Sequence, residues 1–192
     1  MSLERCVTIF LVTRFYTKQG DYGTSILGSK KVSKDDPIFA ALGNLDELNS
    51  WLAVCRTEAA KLKNVSVILK SIQESLFIAQ AEIASVGMGY QPKIKMAAVR
   101  TSNLEKEIEK IDQVVPEITK FIIPGGCKLS TQLDFARAIA RRAERGIRKY
   151  DKIKKLRPEL LQYINRLSSI LFALARFVNY KLRIKEENPN YK

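Results

Sequence analysis

The chain has 192 residues, a formal net charge of +13 at pH 7 and no histidine. A chain of this length can bury a substantial hydrophobic core, so its folding requires neither a disulfide framework nor a structural metal. The absence of histidine excludes Ser-His-Asp and Cys-His catalysis, HExxH metallohydrolysis and most transition-metal sites, which leaves carboxylates, arginines, lysines, hydroxyls or a cofactor to carry any reaction.

The three cysteines are Cys6, Cys55 and Cys127, and no two of them form a CxxC pair. An odd number at wide spacing argues against a disulfide framework and against a zinc site, and it fits a reducing cytoplasm. The apolar run of residues 6–12 is shorter than the apolar region of a typical secretory signal, and no small-residue cleavage site follows it. No run approaches the length of a membrane span, so we expect a cytoplasmic location.

The first predicted element is a glycine-rich loop, YTKQGDYGTS, at residues 16–25. Its two glycines, its lysine and its hydroxyl side chains suit a loop whose backbone amides surround phosphate oxygens. The GxxxxGSK pattern at 23–30 is not a Walker A motif, because its lysine follows the serine and residues 32–35 separate it from the next helix. From composition alone the loop is either a nucleotide site or a simple connection.

Hydrophobic periodicity then predicts five amphipathic helices joined by short connections. They are expected from Asp36-Pro37 onward, over about 65–86, over about 97–114, after residues 124–126, and from about 158 to 182. The first has an acidic N-cap followed by proline at the first helical position. These elements predict an all-α fold, a five-helix antiparallel bundle preceded by the glycine-rich loop.

The fourth helix carries an arginine face. Arg137, Arg141 and Arg145 recur every four residues, so they share one side of the helix with Glu144 and Arg148. The opposite side is an apolar stripe of Leu129, Leu133, Ala136, Ala140, Ala143 and Ile147. Like charges at this spacing repel by roughly 0.2–0.5 kcal/mol per pair, so the face is either a solvated basic surface or a site for a phosphate-rich ligand.

The sequence has no internal repeat and no low-complexity linker. We therefore treat residues 15–185 as a single domain, residues 1–14 as an N-terminal extension of unknown role and residues 186–192 as a polar C-terminal tail.

Four segments resemble, in order and at matching separations, the PduO-type ATP:corrinoid (cobalamin) adenosyltransferases. They are YTKQGDYGTSILG, ALGNLDELNSWLA, FIIPGGCKLSTQLDFARAIARRAER and YINRLSSILFALAR. The resemblance extends from Phe15 to about residue 180. It implies a ferritin-like five-helix bundle that assembles as a homotrimer, with ATP between neighbouring subunits and the corrinoid in an adjacent cleft.

The resemblance also implies roles for individual residues. The ATP loop corresponds to Thr17, Lys18, Gly20, Asp21, Gly23, Thr24 and Ser25. Lys34, in VSKDD, corresponds to a residue that supports the same nucleotide. The positions that hold the triphosphate, its magnesium environment and the adenosine correspond to Arg137, Arg141, Glu144 and Asn165. Asp46 resembles the carboxylate that pairs with the arginine at position 137 across the subunit boundary.

The implied reaction transfers the 5′-deoxyadenosyl group of ATP to reduced (Co+1) cobalamin and gives adenosylcobalamin and triphosphate. No general base is required, because the nucleophile belongs to the corrinoid and the protein supplies positioning and charge neutralisation. Phe121 corresponds to the aromatic residue that displaces the corrinoid's lower axial base, whereas without the resemblance the residue favours an ordinary core phenylalanine before a turn. Mg²⁺ is expected mainly on the ATP phosphates, with help from Glu144 and without histidine or cysteine ligands.

Three positions depart from the family pattern. Ile38 and Leu42 replace a charged and an aromatic residue in DPRxEAYG, and Ser169 replaces the acid of NRLSD. The first two bear on helix entry or subunit contacts, and the third bears on a polar contact near the active site.

Two other classes of function stay open at this point. One is a helical bundle that binds polyanions through its net charge, although scattered lysines and the lack of a recognition motif disfavour nucleic acid. The other is a noncatalytic corrinoid carrier. If the chain is the enzyme, its candidate protein partners are a cobalamin reductase and an adenosylcobalamin-dependent enzyme, and no membrane partner is expected.

Overall fold

The computed structural model describes residues 15, 16, 18 and 20–191. It contains five α-helices, which confirms the predicted all-α class. They are α1 (Pro37–Glu58), α2 (Lys63–Met88), α3 (Ala98–Asp112), α4 (Lys128–Asp151) and α5 (Pro158–Lys181). A single 3₁₀ turn, Ala59–Lys61, joins the first two helices. Within the described ranges, no helix has the length and apolar character needed to cross a lipid bilayer.

A small antiparallel hairpin precedes the helices and was not predicted. Its strands are β1 (Thr24–Leu27) and β2 (Lys30–Ser33). Thr24 pairs with Ser33, so the end of the predicted glycine-rich loop is part of a strand. Strands of four residues contain too few alternations to give a clear period of two, which explains why the sequence pattern did not indicate them.

The predicted helix starts and breaks are largely confirmed. The Asp36 carboxylate accepts a hydrogen bond from the Ile38 amide at 2.9 Å, and Pro37 is the first residue of α1. Helix α2 continues two residues beyond the predicted end, through Gly87. A side chain at Gly87 would collide with Ile38, so glycine here allows close packing and does not end the helix. The helix ends at Gly89, which has a φ of +82°.

Helix α4 lies between α1 and α5 and is antiparallel to both. On the α1 side, Trp51 Nε1 donates to the Gln132 carbonyl at 2.9 Å, and Glu58 forms an ion pair with Lys128 at 2.8 Å. All six residues of the predicted apolar stripe are buried. The stripe therefore anchors α4 in the core and fixes the direction in which its polar residues point.

A buried carboxylate ties the connection between α2 and α3 to the bundle. Glu82 has no exposed surface, and its Oε2 accepts a hydrogen bond from the Met96 amide at 2.6 Å. Arg157 Nη1 lies 3.5 Å from Glu82 Oε1. Burial raises the pKa of Glu82 above its usual value, while the Met96 amide and Arg157 partly oppose that shift.

This raised pKa predicts a pH-dependent stability difference for Glu82→Gln. The folded state binds the Glu82 proton more tightly than the unfolded chain, so wild-type stability falls as pH rises from about 4.5 through the folded pKa. The substituted chain cannot titrate there, and its free energy of unfolding should rise relative to wild type across that interval. Urea unfolding at a series of pH values measures the difference; a difference that is constant or of opposite sign would contradict the assignment.

Candidate active site

The arginine face of α4 lies on the side of the helix that contacts α5. Glu144 Oε1 accepts a hydrogen bond from Asn165 Nδ2 of α5 at 2.7 Å. The Arg137 guanidinium lies 5.8 Å from the Phe172 ring of α5. Arg141 is exposed on the same side of α4, whereas the adjacent Arg142 forms an ion pair with Glu47 of α1. The structure therefore brings the predicted triphosphate residues onto one surface.

The positive charge of this face is only partly neutralised within the chain. Arg137 Nε is 3.9 Å from Asp134 Oδ1 and, among the described residues, has no hydrogen-bond acceptor. Across the described ranges, Arg141, Arg145 and Arg148 have no carboxylate within 4.0 Å. Such a surface attracts an anion that presents several oxygens.

The glycine-rich loop is folded against Lys34. Lys34 Nζ donates to the Gly20 carbonyl at 2.9 Å, and the Lys34 amide donates to the Gly23 carbonyl at 2.9 Å. Gly23 has a φ of +72°, a conformation that favours glycine. The Thr24 hydroxyl is buried without a hydrogen-bond partner in the described part of the chain.

Of the other predicted loop residues, Lys18 and Asp21 are exposed and Ser25 is half-buried. Lys18, Asp21 and Ser25 belong to the described residues, and Lys18 Nζ lies 5.9 Å from the Tyr16 ring. Thr17 lies outside the described residues. Lys34 thus holds the loop through hydrogen bonds to the Gly20 and Gly23 carbonyls, which is compatible with the supporting role that the resemblance implies.

Asp46 is exposed on α1 and does not pair with Arg137 within the chain. The carboxylate beside Arg137 is Asp134, one turn earlier on the same helix. The expected pair between Asp46 and Arg137 requires a neighbouring subunit and stays a prediction.

The segment that carries Phe121 has no regular secondary structure and is held by hydrogen bonds to its backbone. The Phe121 ring is 80% exposed, so the alternative of an ordinary core phenylalanine is wrong. Asn188 Nδ2 donates to the Phe121 carbonyl at 2.8 Å, and the Ile123 amide donates to the Glu187 carbonyl at 2.8 Å. Residues of the predicted polar tail therefore pack beside this segment.

Sequence reasoning missed a buried ion pair next to the arginine face. Arg176, which is only 2% exposed, donates from Nη2 to Asp134 Oδ2 at 2.7 Å. Its Nε lies 2.9 Å from Glu186 Oε1, and its guanidinium lies 5.0 Å from the Phe172 ring. The available sequence signal was a single arginine within the apolar periodicity of α5.

A cavity of about 340 Å³ separates residues 115–122 from the end of α5. The Arg176 guanidinium, Tyr180 and Asn188 contribute to its wall. Phe121 is not one of its lining residues, and the exposed Phe121 ring is accessible to a ligand from solvent.

The two described cysteines have structural positions, Cys55 in the core and Cys127 at the start of α4. Both are free thiols; burial raises the pKa of Cys55 to about 12, and Cys127 is the N-cap of α4, where its sulfur accepts from the Ser130 amide at 3.4 Å. The polar chemistry of the site therefore rests on arginines, carboxylates and amides.

The helical bundle combines an incompletely neutralised arginine face, a glycine-rich loop and an exposed aromatic side chain, and its surface on α4 suits an anionic ligand. Comparison with known proteins places it more closely: the chain belongs to the cobalamin adenosyltransferase family, whose profile matches residues 15–178.

Relatives and solved structures agree with that placement. The chain is 41% identical over 163 residues to corrinoid adenosyltransferase PduO of Salmonella typhimurium, covering 84% of this chain and 48% of that protein. It is 36% identical over 169 residues to the corrinoid adenosyltransferase of Bacillus subtilis, covering 86% of each. The chain thus spans about half the length of the PduO relatives and most of the Bacillus protein.

The fold matches a phenylalanine-to-histidine variant of a PduO-type ATP:corrinoid adenosyltransferase from Lactobacillus reuteri, complexed with cobalamin and ATP. The TM-score is 0.85 at 36% sequence identity, covering 93% of this chain and 97% of that chain.

Proposed function

We propose that this chain transfers the 5′-deoxyadenosyl group of ATP to the Co+1 form of cobalamin, giving adenosylcobalamin and triphosphate. The observation that carries the proposal is the arginine face of α4 in a member of the cobalamin adenosyltransferase family. ATP and cobalamin are the two substrates. The cobalt–carbon bond forms as the bond between the ribose 5′-carbon and the triphosphate breaks.

The arginine face suits a leaving triphosphate. A triphosphate carries several negative charges, and each planar guanidinium can donate two parallel hydrogen bonds to its oxygens. Arg141 is exposed and unpaired within the described chain, and Arg137 retains an unused buried donor. These donors stabilise charge that grows on the phosphate oxygens in the transition state.

The adenosine and Mg²⁺ are assigned to the polar pair at the α4–α5 contact. Asn165 engages only Oε1 of Glu144, so Oε2 can accept from water bound to a phosphate-coordinated cation. Among the described residues there is no group of three or more histidine, cysteine or carboxylate side chains that could hold a metal ion. This arrangement fits a cation that is bound mainly by the ATP phosphates.

The site is assigned to a boundary between subunits of a homotrimer. The hairpin packs at the C-terminal end of α4, where Gly87 brings Leu27 close to Tyr150. Phe121 precedes the N-terminal end of the same helix, which has 24 residues and therefore rises about 36 Å. The glycine-rich loop and Phe121 are too far apart within one chain to contact the same pair of substrates easily. Contributed by neighbouring subunits, they can line one site for ATP and the corrinoid. At that boundary Asp46 would pair with Arg137.

Phe121 is assigned to the lower face of the corrinoid. Its ring is exposed, and the chain contains no histidine that could offer an imidazole to the cobalt. An aromatic ring occupies the space of an axial base without donating an electron pair, and the loss of an axial donor makes Co+2 easier to reduce.

The net charge of +13 and the unpaired arginines also favour a second candidate, a general polyanion binder. The discriminating experiment incubates the pure protein with reduced cobalamin, Mg²⁺ and ATP while the corrinoid absorbance is followed. Formation of adenosylcobalamin with an equal amount of triphosphate supports the enzyme. A spectral shift without product supports a corrinoid carrier, and no spectral change, with anion binding that weakens steeply with salt, supports the polyanion binder.

Arg141 and Arg142 form a matched pair for testing the triphosphate assignment. Arg141→Ala should lower kcat/KM for ATP roughly tenfold to a hundredfold, because a charge-assisted contact to the leaving group is lost. Arg142→Ala removes only an exposed ion pair with Glu47, so its kcat/KM for ATP should stay within about twofold of wild type. Steady-state kinetics over a range of ATP concentrations gives both values; equal effects from the two substitutions would remove Arg141 from the site.

Phe121→Ala should separate cobalt reduction from ATP binding. Because the ring is exposed, its removal should leave the thermal unfolding midpoint nearly unchanged. We expect ATP to bind normally, whereas adenosylation from Co+2 cobalamin with a supplied reductant should fall by more than about tenfold. Wild-type rates in that reductive assay would refute the axial role.

A further inference from the structure

We propose that residues 184–188 form a C-terminal clamp that sets the position of Phe121, and that Arg176 and Glu186 are the positioning residues that anchor it. The link to catalysis rests on the proposed function, because it assumes that Phe121 meets the corrinoid. The clamp itself rests only on contacts within this chain.

The chain reverses direction directly after α5. The Ile184 amide donates to the Asn179 carbonyl at 2.9 Å, and Arg183 has a φ of +55°. Arginine at a positive φ is disfavoured, since its Cβ crowds the backbone. This left-handed turn is a common helix C-terminal motif, and it directs residues 184–188 back towards the Phe121 segment.

The clamp meets the Phe121 segment at alternate residues. It reaches the Phe121 carbonyl through Asn188 Nδ2 and the Ile123 amide through the Glu187 carbonyl, both at 2.8 Å. Two residues further on, Asn179 Nδ2 donates to the Gly125 carbonyl at 3.0 Å. These three hydrogen bonds, to residues 121, 123 and 125, restrain the backbone of the segment along its length.

These bonds matter because the Phe121 side chain is not held by packing. Its ring is 80% exposed, so core contacts fix neither its position nor its direction. The backbone bonds to the clamp are therefore the main restraint on where the ring stands.

Glu186 anchors the clamp to the buried part of the bundle. Its Oε1 lies 2.9 Å from Arg176 Nε and also accepts from Asn179 Nδ2 at 3.0 Å. Asn179 thus contacts the clamp and the Gly125 carbonyl with one amide nitrogen. A side chain at Gly126 would collide with the Asn179 side chain. Glycine at this position therefore allows the turn before α4 to stay in contact with the Asn179 amide.

Arg176 connects this anchor to the arginine face. Four charges alternate in sign along the path Arg137, Asp134, Arg176 and Glu186. Removal of the Glu186 charge leaves the buried Arg176 with Asp134 as its remaining carboxylate, while the Asp134–Arg137 contact persists. The clamp should therefore loosen without a comparable loss of ATP binding.

The test compares Glu186→Gln with Glu187→Gln in the full-length protein. Glu186→Gln removes the anchoring charge while the side chain keeps nearly the same size. Glu187→Gln is the control: it removes an equal charge from an exposed side chain one residue away, and it keeps the backbone carbonyl that accepts from the Ile123 amide. Asn188→Asp is a third variant, because it keeps the size of the side chain but removes the donor to the Phe121 carbonyl.

The first readout is hydrogen exchange of the Ile123 amide in the substrate-free protein, checked by thermal unfolding. We expect exchange at least about tenfold faster in Glu186→Gln and Asn188→Asp and unchanged in Glu187→Gln, since loss of a charge-assisted contact changes an opening equilibrium by about that factor. Equal exchange in wild type and Glu186→Gln would overturn the clamp, whatever the activity.

The second readout uses Co+2 cobalamin with ATP, and it follows the absorbance change that accompanies displacement of the lower axial base. Glu186→Gln should reduce the displaced fraction and the reductive adenosylation rate about as strongly as Phe121→Ala, with the KM for ATP unchanged. Faster Ile123 exchange with an unaltered displaced fraction would overturn the positioning role. If the wild-type protein produces no adenosylcobalamin, the proposed function fails, and the exchange result still decides whether the clamp exists.

Discussion

The buried ion pair between Asp134 and Arg176 is the interaction on which the arrangement of the site depends. The two residues lie on α4 and α5, are almost fully buried, and are joined by a hydrogen bond of 2.7 Å. Removing one partner of such a pair costs about 3–5 kcal/mol, because the remaining charge is left in a poorly solvated position. The pair therefore fixes α5 against α4 at the level where the arginine face begins.

From this pair the site extends in two directions. On one side Asp134 approaches Arg137, and Arg141, Arg145 and Arg148 further along α4 have no carboxylate partners in the described chain. On the other side Arg176 contacts Glu186, whose neighbours hold the Phe121 segment. In the proposed reaction the first branch receives the triphosphate and the second sets the aromatic ring beside the corrinoid, so one buried pair relates the two substrates to each other.

The sequence predicted the features that depend on local order. Asp36 and Pro37 marked the start of α1 through capping chemistry, and the apolar stripe of α4 predicted which side would be buried and hence where Arg141 would point. The hairpin and the packed tail left no comparable pattern, since four-residue strands and single backbone bonds such as Ile123 to Glu187 have no period. The partner of Arg176 depends on a contact between residues 42 positions apart, which spacing alone cannot indicate. The expected partner of Asp46 belongs to another subunit, so neither the spacing of residues nor the fold of one chain can indicate that pair.

The role of the Asp134–Arg176 pair is tested most directly in a protein that carries both Asp134→Asn and Arg176→Gln. Removing both charges leaves neither member of the buried pair uncompensated, so unfolding by urea should show a stability loss smaller than either single substitution produces. We expect this folded protein to form adenosylcobalamin from Co+2 cobalamin, ATP and a reductant at least about tenfold more slowly than wild type, because the Glu186 anchor and the Arg137 contact are both lost. A wild-type rate in the doubly substituted protein would contradict this expectation.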